Sequence, residues 1–159
     1  MLPRDQTLSG QSGPPAGESG AWRQRLADLA LACAGSYAAD EGACLREMAA
    51  LLTSAPEGHA RGLARPDPAA LEALIAAGAG ASAALAMLDG GEAGYLLSSG
   101  GNGQHMASVI LLGNAEELTA SGDTAALALV GALAMALADL AETPPLTPGR
   151  IETAPTRLN

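Results

Sequence analysis

Lysine and phenylalanine are both missing from this 159-residue chain, and its other aromatics are only Trp22, Tyr37 and Tyr95. Without lysine, eight arginines face 17 acidic side chains, for a formal net charge of −9. Nucleic-acid binding draws most of its affinity from Lys and Arg on phosphates, so that class of function is excluded. Anionic membrane surfaces are disfavoured on the same ground. Without phenylalanine, the core must be built from Leu, Val, Ile, Met and Ala. Each fully buried Leu contributes about 1.5–3 kcal/mol. Ala adds little area, but it lets helices approach toward the lower end of the usual range of about 8–10 Å.

Cysteine is scarce too: Cys33 and Cys44 are the only two. No C-x-x-C pair and no nearby His accompanies them, so no metal or redox centre is indicated. On one continuous helix they would sit about 16 Å apart, beyond disulfide reach. A turn near Gly35 to Asp40 would let them meet. Their expected role is that of two small buried hydrophobes. Long apolar runs are likewise few. The longest uncharged helical stretch, Thr124 to Ala138, is shorter than the roughly 20 residues of a membrane span. The first twenty residues lack the apolar centre of a secretion signal, which leaves a cytoplasmic location as the expectation.

What is present is one α+β domain. Residues 1–20 and the Pro/Thr-rich residues 143–159 read as disordered tails. Between them, 21–142 divides into a helical pair at 21–54, a linker at 55–66 and a helix–sheet–helix unit at 67–142. Leu26, Leu29, Cys33, Tyr37, Cys44, Met48, Leu51 and Leu52 recur at helical spacing. Gly35, Ser36, Asp40 and Gly42 argue for a break, giving helices at about 21–35 and 39–54. Asp67 is a good N-cap for a middle helix, with Pro68 at its first position. Residues 83–88 fit a strand or a helix equally. From Gly94 the period changes to that of a small antiparallel sheet of two to four strands. "AEELTAS" offers a third strand, in which Glu116 and Glu117 would point to opposite faces. Ser121-Gly122-Asp123 then caps a C-terminal helix so apolar on most sides that it must be buried by more than one neighbour.

The stretch "GYLLSSGGNGQHMASVILLG" holds the only candidate loop for chemistry. A phosphate loop needs G-x-x-x-x-G-K-[ST], and this chain has no lysine to supply. A dinucleotide fingerprint must lead from a strand into a helix, whereas these glycines lead into another strand. Asn102-Gly103 is the favoured corner of a hairpin, and that is the expected role. His59 reads as a solvated linker residue and His105 as a strand-end residue. No G-x-S-x-G elbow or calcium-loop spacing is present. Strands followed by a C-terminal helix is also the order of double-stranded RNA-binding domains, but the basic residues of that function are absent here.

The expected function is therefore a non-catalytic protein-interaction or assembly module that self-associates. It would use the uncharged strand "HMASVILLG" or the helix at 124–140, with Val109, Leu111, Val130 and Leu133 as contacts. The alternative is a small-molecule-binding domain or cryptic enzyme, with a pocket near Tyr95, Ser98 and His105. No catalytic residue, metal or cofactor is indicated.

Overall fold

A computed structural model of the protein describes residues 16–90 and 92–142. The C-terminal tail and residues 1–15 of the N-terminal tail lie outside the described residues. Helix α1 spans Ala16–Gly35 and so begins five residues before the predicted start. Glu18 lies in its first turn, where a carboxylate suits the helix dipole. The expected break falls at residues 36–37. Tyr37 is extended (φ −105°, ψ 172°), and one 3-10 turn over Ala38–Asp40 reverses the chain into α2, Glu41–Thr53. Asp40 holds that turn by accepting the Tyr37 N–H at 3.2 Å.

Helix α3, Pro68–Ala76, starts as its sequence predicts: the Asp67 carboxylate accepts the Ala70 N–H at 2.9 Å. The ambiguous residues 83–88 are helical, within α4 at Gly80–Leu88. Its Ala- and Leu-rich composition favours that state. Strands β1 (Ala93–Ser99), β2 (His105–Leu111) and β3 (Leu118–Gly122) form an antiparallel meander in the order β1-β2-β3. Glu116 and Glu117 precede β3 rather than lying in it. Helix α5, Ala125–Glu142, follows at once. The fold is α+β, with one helix packed on a three-stranded sheet.

α5 is the centre of the core. One side lies on β2 and β3, and the others meet α1, α2 and α4. Eleven of its 18 residues are buried, among them Leu127, Val130, Leu133 and Leu137. Small residues make that possible. A Cβ at Gly131 would stand 3.2 Å from the Ala120 Cβ of β3 and 3.4 Å from the Cys33 Cβ of α1. Gly131 therefore marks where the sheet, α5 and α1 come closest. Among the described residues, α5 alone has the length and apolarity to cross a membrane, and 61% of it is buried inside the protein.

Polar ties hold both ends of α5. Thr124, not the predicted Ser121-Gly122-Asp123 run, caps its start: the Thr124 hydroxyl accepts the Leu127 N–H at 3.2 Å. Asp123 instead accepts the Ala38 N–H at 2.9 Å, which joins α5 to the turn between α1 and α2. Near the other end, Asn114 accepts the Leu111 N–H at 2.9 Å. Its amide donates to the Ala136 carbonyl at 3.0 Å and to Asp139 at 2.8 Å. Trp22, 4% exposed, donates its indole N–H to the Leu51 carbonyl at 2.9 Å and so pins α1 to α2. His59 is not simply solvated: its ring packs edge-on against Trp22 at 5.7 Å. Exposed ion pairs decorate the helices, the most regular being the two-pronged Arg46–Glu72 pair at 2.6 and 2.7 Å.

Two predictions follow from these ties. Asn114→Ala strands the Leu111 N–H at the end of β2 and removes two bonds to α5, so chemical denaturation should register a loss of about 1–3 kcal/mol. The hydrogen bonds from Arg46 hold the Glu72 carboxyl below the usual carboxylate range. A depressed folded-state pKa adds stability above the unfolded value of about 4.3 and loses it as pH falls through the folded value. Glu72→Gln should therefore melt slightly below the parent chain at pH 7, and thermal scans should show the difference closing below about pH 4.

Candidate functional site

The glycine cluster is a hairpin corner, though not the two-residue form that Asn102-Gly103 suggests. The Gly103 N–H donates to the Gly100 carbonyl at 3.2 Å, and the Gly100 N–H to the Gln104 carbonyl at 2.8 Å. Gly103 takes φ +78°, while Asn102 stays at negative φ and accepts the Gln104 N–H on its side chain at 3.2 Å. This is a type I turn closed by a left-handed glycine, the three-residue hairpin solution. The amides of Gly100, Gly103 and Gln104 are spent on the turn itself, so they are not free to cradle an anion.

Tyr95, Ser98 and His105 are not gathered into one pocket. Tyr95 pairs with Val109, whereas His105 pairs with Ser99 at the far end of β1. Four residues of strand separate those pairs by about 13 Å. Ser98 points to the opposite face of the sheet from Tyr95, and its hydroxyl reaches only the Met106 carbonyl at 3.5 Å. The serine that meets His105 is Ser99, whose Oγ lies 2.9 Å from Nδ1 on the exposed strand ends. Serine chemistry needs the base oriented by a third group. Among the described residues, no hydrogen bond joins His105 to a carboxylate. No group of three or more His, Cys, Asp or Glu among them is placed to hold a metal ion.

The four residues predicted as contacts lie inside the chain: Val109 is 0% exposed, Val130 1%, Leu133 2% and Leu111 6%. The reason is strand parity. His105, Ala107, Val109 and Leu111 face α5, which sends Met106, Ser108 and Ile110 to the open face. The register adds Gly94, Leu96 and Ser98 from β1, and Thr119 and Ser121 from β3. Leu96, Met106, Ile110 and, just past the strand, Leu112 are exposed large hydrophobics. Across this face the Ser108 and Thr119 hydroxyls share a hydrogen bond of 2.7 Å. None of the strand residues on this face is charged, and Glu92 lies opposite Leu112 just beyond its end.

β1 is less protected still. α5 crosses β2 and β3 but scarcely touches β1, and no residue of β1 is buried. The strand overhangs the helical layer, with Tyr95 53% exposed on one face and Leu96 66% on the other. Among the described residues, no strand pairs with its outer edge. Charge, proline and bulges are the usual guards of such an edge. Ala93–Ser99 has no charged residue and no proline, and its pairing with β2 runs without a bulge. β3, the other edge, is flanked by Glu116, Glu117 and Asp123 and is also met by α1. A sequence signal for this site exists in "AGYLLSS": seven uncharged residues of a strand with no alternation, hence no obvious buried side.

No family profile matches the chain, and neither a curated protein nor a solved structure is detectably similar to it. The overhanging strand and the open face are therefore judged on their physics alone.

The burial of Val109 makes a direct test of the core assignment. Val109→Lys should place an unpaired charge against α5, at a cost of about 3–5 kcal/mol. Circular dichroism should then show loss of the cooperative thermal transition rather than a folded, dissociated chain.

Proposed function

We propose that this protein is a non-catalytic interaction module that self-associates, with β1 of one copy adding antiparallel to β1 of a second. The observation that carries this reading is the overhang of β1, a regular, uncharged edge strand without helical cover. Pairing about a two-fold axis would extend two three-stranded sheets into one of six strands, and would satisfy the backbone groups at both edges. It would also join the two open faces, so that Leu96 and its counterpart become neighbours.

Charge and area both bear on the partner. Two copies of a chain with net charge −9 repel one another unless they meet where charge is absent. β1 and the open face are such a place. In an antiparallel pair the flanking Glu92 residues fall at opposite ends and do not face each other. The open face of two seven-residue strands and one of five fits within roughly 24 by 14 Å, at most about 340 Å² in projection, against the ~800 Å² per partner of a standard stable interface. Face-to-face stacking alone is too small. Edge pairing adds backbone hydrogen bonds and the flanks of Tyr95 and Leu96, which suits a reversible, concentration-dependent dimer.

Sedimentation velocity on the untagged full chain, from about 1 to 100 μM, spans the range of weak interfaces. A shift toward twice the chain mass of 15.7 kDa is expected as concentration rises. Leu96→Glu should abolish the shift, because it sets like charges beside each other at the two-fold axis. It should leave the melting temperature within a few degrees, because Leu96 is exposed. A monomer at every concentration, or a Leu96→Glu variant that associates like the parent, would overturn the reading.

A further inference from the structure

We infer that Asn102 is a site of spontaneous modification in the folded chain. Gly103 closes on its carboxamide, ammonia leaves, and the hairpin corner becomes aspartate and isoaspartate, the second of which loosens β1. The inference is independent of self-association. It starts from how the corner holds the two residues. Gly100 to Gln104 are all exposed, and Asn102 leads directly into a glycine. The Asn102 Oδ1 accepts the Gln104 N–H at 3.2 Å, so the carboxamide arches over the Gly103 backbone. Its Nδ2 donates no hydrogen bond among the described residues. A Cβ at Gly103 would meet nothing within 4 Å, so no neighbour screens the nitrogen. That N–H has only the Gly100 carbonyl to give up, at 3.2 Å, the long end of the ordinary range. Asn114 is the contrast within the same chain. It is half-buried, precedes Ala115, and spends its carboxamide on Leu111, Ala136 and Asp139. Ring closure there would disturb all three bonds.

Water and hydroxide are the only co-reactants. Hydroxide removes the Gly103 amide proton, and the nitrogen attacks the Asn102 Cγ. The N–Cγ bond forms and the Cγ–Nδ2 bond breaks. The leaving group takes a proton from water, departs as ammonia and returns the hydroxide. The Gln104 N–H already points at Oδ1, the oxygen on which charge gathers as Cγ becomes tetrahedral. Water then opens the cyclic imide. Scission of the new N–Cγ bond leaves aspartate. Scission at the Asn102 backbone carbonyl leaves isoaspartate, in which the main chain runs through the former side chain. Neither step moves electrons to an acceptor. Both products change the corner. Residues 93–104 carry no charged side chain, so either product brings the first charge to this stretch. Isoaspartate also adds a backbone carbon inside the loop that Gly100 and Gln104 close. Turn geometry sets the register of a hairpin, and β1 has only β2 to pair with.

The test is mass spectrometry of the untagged full chain during incubation at mildly alkaline pH. One sample is kept folded, well below its melting temperature, and another is unfolded in guanidinium chloride. The folded chain should gain about 1 Da, as an amide is replaced by a carboxyl group. Peptide fragmentation should place the gain at Asn102, in two products of equal mass, and leave Asn114 intact. The rate should rise with hydroxide concentration. Asn102→Gln, whose longer side chain would have to close a larger ring, should keep its mass. In the isolated isoaspartate form, amide hydrogen exchange should be faster across β1 than in the fresh chain. Modification confined to the unfolded sample would overturn the inference. So would equal modification of Asn114, or β1 exchange in the isoaspartate form that matches the fresh chain. The parent-chain measurements stand whether or not the Asn102→Gln variant folds.

Discussion

The close approach of three layers at Gly131 is the constraint on which the structure depends. α5 lies between the sheet and the N-terminal helices, and at this position the Ala120 methyl and the Cys33 side chain leave no space for a Cβ in ordinary contact. A core without phenylalanine cannot fill wide gaps, so its layers must close up. Alanine and glycine supply the closeness, and Leu127, Leu129, Leu133 and Leu137 supply most of the buried area. The hydrogen bonds at Thr124 and Asn114 then act as stops. They set the height of α5 over β2 and β3, and a helix packed this tightly has little freedom to slide.

The same geometry creates the exposed strand. A helix with its side chains is about 10–12 Å across, while three strands at 4.7–4.9 Å spacing are wider once their own side chains are counted. One central helix covers two strands well. α5 is drawn to β2 and β3 because the short connection from β3 leads straight into it, so the uncovered strand is β1. α4 does not replace the missing cover: Tyr95 meets only a shallow groove beside Leu85, Ala86 and Leu88. The overhang is a consequence of packing one helix against an odd strand.

Much of this could be read from the residues. Asp67-Pro68, the break near Gly35–Asp40, the hairpin glycines and the burial of the last helix each rest on local chemistry that a sequence displays. What escaped reading depends on neighbours. In "HMASVILL" both parities are apolar, Ala107, Val109 and Leu111 on one side and Met106, Ile110 and Leu112 on the other. Alternation therefore cannot say which set faces the core, and the apolar strength of Val109 and Leu111 reads equally well as an interface. Only α5 decides the matter. Asp123 likewise looks like a cap until the α1–α2 turn arrives to claim it, which leaves Thr124 for the helix. Ser99, rather than Ser98, meets His105 because of a register that no local pattern encodes.

The packed edge and the open edge of the sheet lie at opposite ends of the strand order. Cys33 packs beside Gly131, close to Ala120 of β3, whereas the unguarded edge belongs to β1 at the other end of the β1-β2-β3 order. Between them stands β2, whose inward residues are enclosed by α5. Asp123 ties the α1–α2 turn to the start of α5, while β1, scarcely touched by α5, keeps its register through β2 alone. Both α5 and β3 contact α1 as well as β2, so the N-terminal helices reach β1 by two routes that each end on β2. A helix held at both ends, and packed without slack at Gly131, transmits strain rather than absorbing it. A displacement of β1 would therefore be felt at α5 through β2 instead of being lost in a loose core.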